Sequence, residues 1–215
     1  MRIGVLISGR GSNLKALIEA CEEPGFRGRI ALVISNRPGA GGLAVAEAAG
    51  IPTLVIDHKE FSTRETFDAE LDRALVNAGV ELVCNAGFMR ILTDGFVEKW
   101  RDRQLNIHPS LLPAFKGLHV HQRALDAGVK ITGCTVHFVR PEMDEGPIVA
   151  QAAVPVLPGD TAETLSQRIL EAEHKLYPLA LKLVVEGHAR VVGEHVVLDD
   201  DGEEVAGSLF VPADK

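Results

Sequence analysis

Two hydrophobic rhythms alternate along the first half of the chain. Residues 3–7, 30–34, 53–56 and 82–85 are short runs, mostly β-branched or aliphatic, with apolar side chains at successive positions. A strand covered on both faces reads this way, which predicts four buried parallel strands. Between them, Leu14, Leu17, Ile18 and Cys21 keep the three- and four-residue spacing of an amphipathic helix, as do Phe67, Leu71, Ala74 and Leu75. Strand, helix and strand in repeated succession imply a parallel sheet with helices on both faces.

The pattern changes after residue 108. Residues 131–139 and 148–156 form two longer strands flanking a polar, turn-rich loop. A long helix then opens near Asp160, with Thr161 as the alternative cap, and runs towards Glu186. Leu165, Ile169, Ala172, Leu176 and Leu183 mark its apolar stripe, and Pro178 is predicted to kink it. Residues 190–192 and 195–198 suggest a small hairpin. In the acidic stretch that follows, Asp199-Asp200-Asp201-Gly202 has the spacing of a solvated turn and not of a calcium loop. The predicted fold class is α/β: a three-layer, Rossmann-like, mostly parallel sheet flanked by helices, with a late antiparallel strand and a small C-terminal hairpin. No internal repeat or linker divides the 215 residues, which read as one domain.

A hydrophobic share of 46% and a charged share of 24% suit a soluble globular enzyme. The formal net charge of −8 changes the picture more. It argues against a nucleic-acid surface, which is normally basic, and demands a local device for any anionic small ligand. Cys21, Cys84 and Cys134 are odd in number, far apart and set in apolar runs. They suggest neither a disulfide framework nor a metal pair, so a reducing cytoplasm is the expected setting. The first apolar run is too short for a signal-peptide core, and none approaches a membrane span, so no membrane partner is expected. Monomer and homodimer both remain open.

Chemistry concentrates in Asn106-Ile107-His108-Pro109-Ser110-Leu111-Leu112-Pro113. Leu105 and Ile107 alternate with Asn106 and His108, as at the end of a half-buried strand, where side chains two apart share a face. A donor amide and a proton-moving imidazole therefore stand side by side. Pro109 stops the ladder and leaves His108 at the strand's carboxyl end, where open α/β sheets bind ligands. The bland alternative is a strand-end histidine satisfied by its surroundings. The first βα turn, Ser8-Gly9-Arg10-Gly11-Ser12-Asn13, joins two glycines to a helix opening near Ser12. Free N–H groups and the positive dipole end there suit a phosphate. The turn lacks the third glycine of the dinucleotide fingerprint and the Gly-Lys-Ser/Thr of a nucleotide loop. Asp144 precedes Gly146-Pro147 between the late strands, and a carboxylate brought near His108 would stabilise the protonated ring. His119 and His121 diverge at a helix start, and no acidic or thiol ligand lies at a supporting spacing, so no metal is expected. His137 shares a strand face with Thr135 and is expected as a hydrogen-bond partner behind the site.

Separated stretches then carry a family resemblance. Ile7-Ser8-Gly9-Arg10-Gly11-Ser12-Asn13-Leu14, Ala86-Gly87-Phe88-Met89-Arg90-Ile91-Leu92, the stretch 106–113, Gly133-Cys134-Thr135-Val136-His137-Phe138-Val139 and Asp144-Glu145-Gly146-Pro147 occur in this order. Together they resemble the folate-dependent formyltransferases, from the first strand to about Glu186. The resemblance implies transfer of the formyl group of 10-formyltetrahydrofolate to the amine of N1-(5-phosphoribosyl)glycinamide, a step of purine synthesis. Folate would be a co-substrate, with no tightly bound cofactor. The resemblance makes Asn106, His108 and Asp144 catalytic and gives the ribonucleotide's phosphate to Gly11, Ser12 and Asn13. Glu173, taken to face away from the helix stripe, becomes the ribose and glycinamide contact. Folate would lie against Met89, Arg90, Ile91 and Leu92, with Asn106 and the loop Arg140, Pro141, Glu142, Met143 and Asp144, and with Arg64 near its tail. Residues 1–100 would then form the phosphate-binding half, 101–186 the catalytic and folate-binding half, and 187–215 the hairpin and tail. Glu145 departs from the commonest family spelling. Relatives formylate methionyl-tRNA or an amino sugar, or hydrolyse formylfolate. The tRNA enzyme is expected to carry an extra basic C-terminal domain and the hydrolase an N-terminal regulatory one; neither is expected here. A non-catalytic phosphate-ligand module is the remaining alternative, and the trio Asn106, His108 and Asp144 speaks against it.

Overall fold

Strand β1 (Arg2–Ile7) is buried from Ile3 onwards and pairs in parallel with β2 (Arg29–Ser35) on one side and β4 (Leu82–Asn85) on the other. β3 (Thr53–Val55) extends the sheet beyond β2, and β5 (Gln104–His108) extends it beyond β4, both parallel. β6 (Ile131–Phe138) and β7 (Ile148–Pro155) add antiparallel pairings, giving the order β3-β2-β1-β4-β5-β6-β7. The computed structural model describes residues 1–199 and Val211. The chain leaves β1 in one direction for β2 and β3, then crosses to β4 and β5 on the other side. The carboxyl ends of β1 and β4 therefore flank the switch point of the sheet, the place where such sheets bind ligands.

Alternate side chains of β1 supply opposite faces. Ile3, Val5 and Ile7 join Leu14 and Leu17 of α1 (Ser12–Cys21) and Leu165, Ile169 and Tyr177 of α6 (Ala162–Glu186) in one core. Leu6 joins Phe67, Leu71 and Leu75 of α3 (Arg64–Asn77) and Phe96 and Trp100 of the α4 region (Asp94–Lys99) in a second. Burying each large apolar side chain contributes about 1.5–3 kcal/mol, so both helical layers are needed to seal the sheet. This is the three-layer α/β arrangement that the alternating pattern predicts. Residues Ala189–Val192 (β8) and His195–Leu198 (β9) form the expected hairpin. The acidic stretch from residue 200 and the polar tail fall outside the described residues.

Several local expectations change. β3 is an edge strand, and Leu54 and Val55 stay 37% and 40% exposed because no described strand pairs on their outer side. Thr161, not Asp160, caps α6: its hydroxyl accepts from the Thr164 N–H at 3.2 Å. Asp160 instead receives the Arg168 guanidinium at 2.7 and 2.8 Å. Pro178 does not end α6, which runs on to Glu186; the packed stripe on either side outweighs the one missing donor. Helices α2 (Gly41–Ala48), α4 and α5 (Val120–Asp126) hold eight, six and seven residues, too few turns for periodicity to announce them. Among the described residues no helix is long and apolar enough to cross a membrane.

Candidate active site

β5 is more buried than an alternating strand should be. Gln104, Leu105, Ile107 and His108 are all buried and Asn106 is half-buried, because β5 lies inside the sheet with both faces covered. Its antiparallel pairing with β6 sets Asn106 opposite His137 and His108 opposite Thr135. The Asn106 amide nitrogen lies 3.2 Å from His137 Nε2. His137 Nδ1 lies 2.9 Å from the Phe138 carbonyl oxygen, which assigns the ring proton to Nδ1 and leaves Nε2 to accept from Asn106. Burial pushes the His137 pKa down, which favours this neutral form. An amide has two N–H donors, so Asn106 keeps one for a ligand.

His108 Nε2 is 3.0 Å from the Phe115 carbonyl oxygen, and Nδ1 faces Asp144 Oδ2 at 3.4 Å. Asp144 also accepts from the Gly117 N–H at 2.8 Å and lies 3.9 Å from His137 Nε2. The carboxylate is thus held by one imidazole and one backbone donor, with the unprotonated His137 Nε2 nearby and not donating to it. It is reached through strain: Asp144, Phe115 and His119 hold φ of 56°, 54° and 56°, a region that L-residues rarely enter. Such outliers cluster where surrounding structure enforces a functional geometry. Thr135 secures the turn after His108 by donating to the Ser110 carbonyl at 2.7 Å and accepting from the Leu112 N–H at 3.0 Å. The loop carrying Asp144 is rooted at Arg140, whose guanidinium meets Asp102 at 2.7 Å and Glu194 at 2.8 Å. That side chain faces protein, so Arg140 offers a ligand only its backbone. Gly146 is required where the loop rejoins β7, since a Cβ would lie 1.6 Å from the Phe138 carbonyl oxygen.

The first βα turn opens α1 with Gly11 as its cap at φ 81°, so Ser12 is the first helical residue and not the cap. Among the described residues no side chain caps the free N–H groups of this end. Asn13 is buried and donates through Nδ2 to Glu173 Oε2 at 2.7 Å. Glu173 is 6% exposed, not solvated and turned away as expected. It stands four residues after Ile169 and three before Leu176, so it belongs to the buried stripe of α6, which packs on α1. Burial raises its pKa, opposed by the Asn13 hydrogen bond. The i, i+4 spacing was the available signal.

Beyond β4 the chain runs without helix or strand through residues 86–93. Phe88 and Leu92 pack on the second core, while Met89 and Ile91 remain 60% and 58% exposed. The apolar wall therefore has an inner and an outer half, and Ile91 is no core residue. Arg90 stacks 4.6 Å over the Phe67 ring, one turn along α3 from exposed Arg64. In the loop after β6 Glu142 and Met143 are exposed and Pro141 half-buried. His119 caps α5, and His121 beside it is half-buried, its pKa lowered by burial and by His108.

A family model described as formyl transferase matches residues 1–181. The chain belongs to the formyl transferase family. It is 44% identical over 191 residues to the phosphoribosylglycinamide formyltransferase of Escherichia coli K12, covering 89% of this chain and 90% of that protein. It is 56% identical over 191 residues to the chicken trifunctional purine biosynthetic protein adenosine-3, of which it spans 19%. Among solved structures, glycinamide ribonucleotide transformylase 1 of Symbiobacterium toebii superposes with a TM-score of 0.90 at 50% identity, covering 93% of this chain and 94% of that one.

Proposed function

We propose that this member of the family transfers the formyl group of 10-formyltetrahydrofolate to the amine of N1-(5-phosphoribosyl)glycinamide, in purine biosynthesis. The observation that carries the reading is the group Asn106, His108, His137 and Asp144, held together at the end of β5. The substrate amine attacks the formyl carbon, the carbonyl electron pair moves to oxygen, and collapse expels N10 of the folate. One proton leaves the amine and one arrives at N10. The spare N–H of Asn106 meets the growing oxyanion, an effect worth roughly 3 kcal/mol per donor. His108 carries the proton traffic, typically worth about 10²–10⁴ in rate, and releases Phe115 to reach the substrate. Asp144 stabilises charge on that ring as it develops.

In this reading the N–H groups of Gly11, Ser12 and Asn13 hold the phosphate, and Glu173, fixed by Asn13, takes the ribose and glycinamide. The folate lies between Met89, Arg90, Ile91 and Leu92 and the loop of Arg140, Pro141, Glu142, Met143 and Asp144, with Arg64 at its tail. Folate is a co-substrate and not a resident cofactor. Residues 1–100 supply the phosphate side and one wall of the folate slot, 101–186 the chemistry and the other wall, and 187–215 the hairpin and tail. Three free cysteines, two of them buried, support a reducing, cytoplasmic setting, with the chain acting as a monomer or homodimer. Supplying both substrates and following the deformylated folate tests the assignment. Turnover of methionyl-tRNA as fast as of the ribonucleotide would defeat it.

A further inference from the structure

Two side chains with no role in the chemistry above hold the segment 86–93 at its two sides. The segment has no helix or strand of its own, so its course depends on what its backbone groups bind. The Met89 N–H donates to Ser8 Oγ at 2.7 Å, and the Thr93 N–H donates to Asp68 Oδ2 at 2.6 Å. Ser8 and Asp68 are each only 4% exposed, so water does not replace either acceptor. Ser8 directs its one proton to Asn36 Oδ1 at 2.6 Å, which orients the hydroxyl and aims a lone pair at Met89. Ser8 is also the residue from which the turn Gly9-Arg10-Gly11-Ser12-Asn13 departs.

We propose that Ser8 is a positioning residue for the folate slot. Its hydroxyl holds the backbone of Met89 in the place where the folate slot is formed. Asp68 fixes the far side of the same slot through Thr93, whose own hydroxyl caps α4. The inference rests on the folate reading of residues 89–92 given above. Removing the hydroxyl leaves a backbone N–H without its acceptor, and the segment shifts to find another. The phosphate cradle, built from α1 backbone, stays in place.

Steady-state kinetics on the full chain distinguish this from a merely structural role. Ser8→Ala is expected to raise the folate KM about tenfold, with the ribonucleotide KM and kcat essentially unmoved. Asn36→Ala keeps the hydroxyl but frees its rotor, so the same constant should rise by a smaller factor. Ser8→Thr restores an oriented hydroxyl and should bring the constant back towards its original value. An unchanged folate KM in folded Ser8→Ala, or equal rises for both substrates, would overturn the proposal. Should Ser8→Ala fail to fold, an unchanged folate KM in Asn36→Ala would overturn it just as well. Absence of formyl transfer by the unaltered chain would instead overturn the reading beneath it.

Discussion

Replacing Gly11 with alanine tests the phosphate turn through two separate penalties. Gly11 sits at φ 81° and ψ 24°, where an L-side chain costs about 1–2 kcal/mol. The added Cβ would also stand 2.4 Å from Gly42 Cα and 3.2 Å from Gly42 N, against the 3.4–4 Å of ordinary contact. Both neighbours are backbone, so no side chain can swing aside. Overpacking of this kind costs about 1–3 kcal/mol, and the two penalties together reach about 2–5 kcal/mol. In a chain of this size that corresponds to a melting temperature lower by roughly 4–20 °C. Relief requires the start of α1 to move away from α2 by on the order of 1 Å, which carries its N–H groups out of hydrogen-bonding reach of the phosphate. The ribonucleotide KM should therefore rise steeply while the folate KM barely moves. Gly9→Ala is the internal control, since its Cβ would meet nothing within 4 Å. Thermal unfolding and steady-state kinetics on both variants decide the matter. Equal melting temperatures for the two, or equal rises in both Michaelis constants for Gly11→Ala, would refute the reasoning.

Three further outcomes are expected. His108→Ala should cut turnover by about 10²–10⁴ while a folate analogue still binds, and near-original turnover in a folded variant would sink the mechanism. Glu173 has a raised pKa, so the stability it contributes is full below the ordinary glutamate range near 4.5 and is lost as pH rises through the folded value. Glu173→Gln should therefore melt no lower than the parent at neutral pH, with any gain vanishing in acid, yet bind the ribonucleotide worse; a lower melting temperature at every pH would contradict this. His137 has a lowered pKa, so its contribution is full above the ordinary histidine value of 6.5 and is lost as pH falls through the folded one. His137→Gln, which keeps an acceptor for Asn106, should flatten the acid limb of the stability profile, and an unchanged limb would exclude His137 as its source.

The sheet was legible because burial on both faces leaves runs such as Val5-Leu6-Ile7 that no other element explains. The adjacency of Asn106 and His108 was equally readable, since a strand puts residues two apart on one face. Asp144 and His137 were readable as partners, but the contacts that bring them in were not. His137 meets Asn106 through a register between strands distant in sequence, and nothing local to either residue encodes that pairing. Asp144 arrives through a left-handed backbone conformation, which aspartate enters more readily than most residues but which nothing in its loop announces. Glu173 was misjudged because charge was given more weight than spacing; a buried amide partner reverses that balance. The short helices α2 and α4 escaped because six to eight residues cannot complete a readable period, and α5 showed only its start at His119.

The anchoring of Arg140 bears on where this protein can be cut. The matched family region ends at residue 181, and every strand of the main sheet lies before that point. Yet Glu194, in the turn between β8 and β9, holds the Arg140 guanidinium and reaches Arg101 as well. A fragment ending with α6 would keep the sheet and the entire set of reacting groups. It would leave a buried guanidinium with one of its two carboxylates gone, at the root of the loop that delivers Asp144 to His108. The hairpin contributes no chemistry, yet through one guanidinium it steadies the loop on which the reacting groups depend.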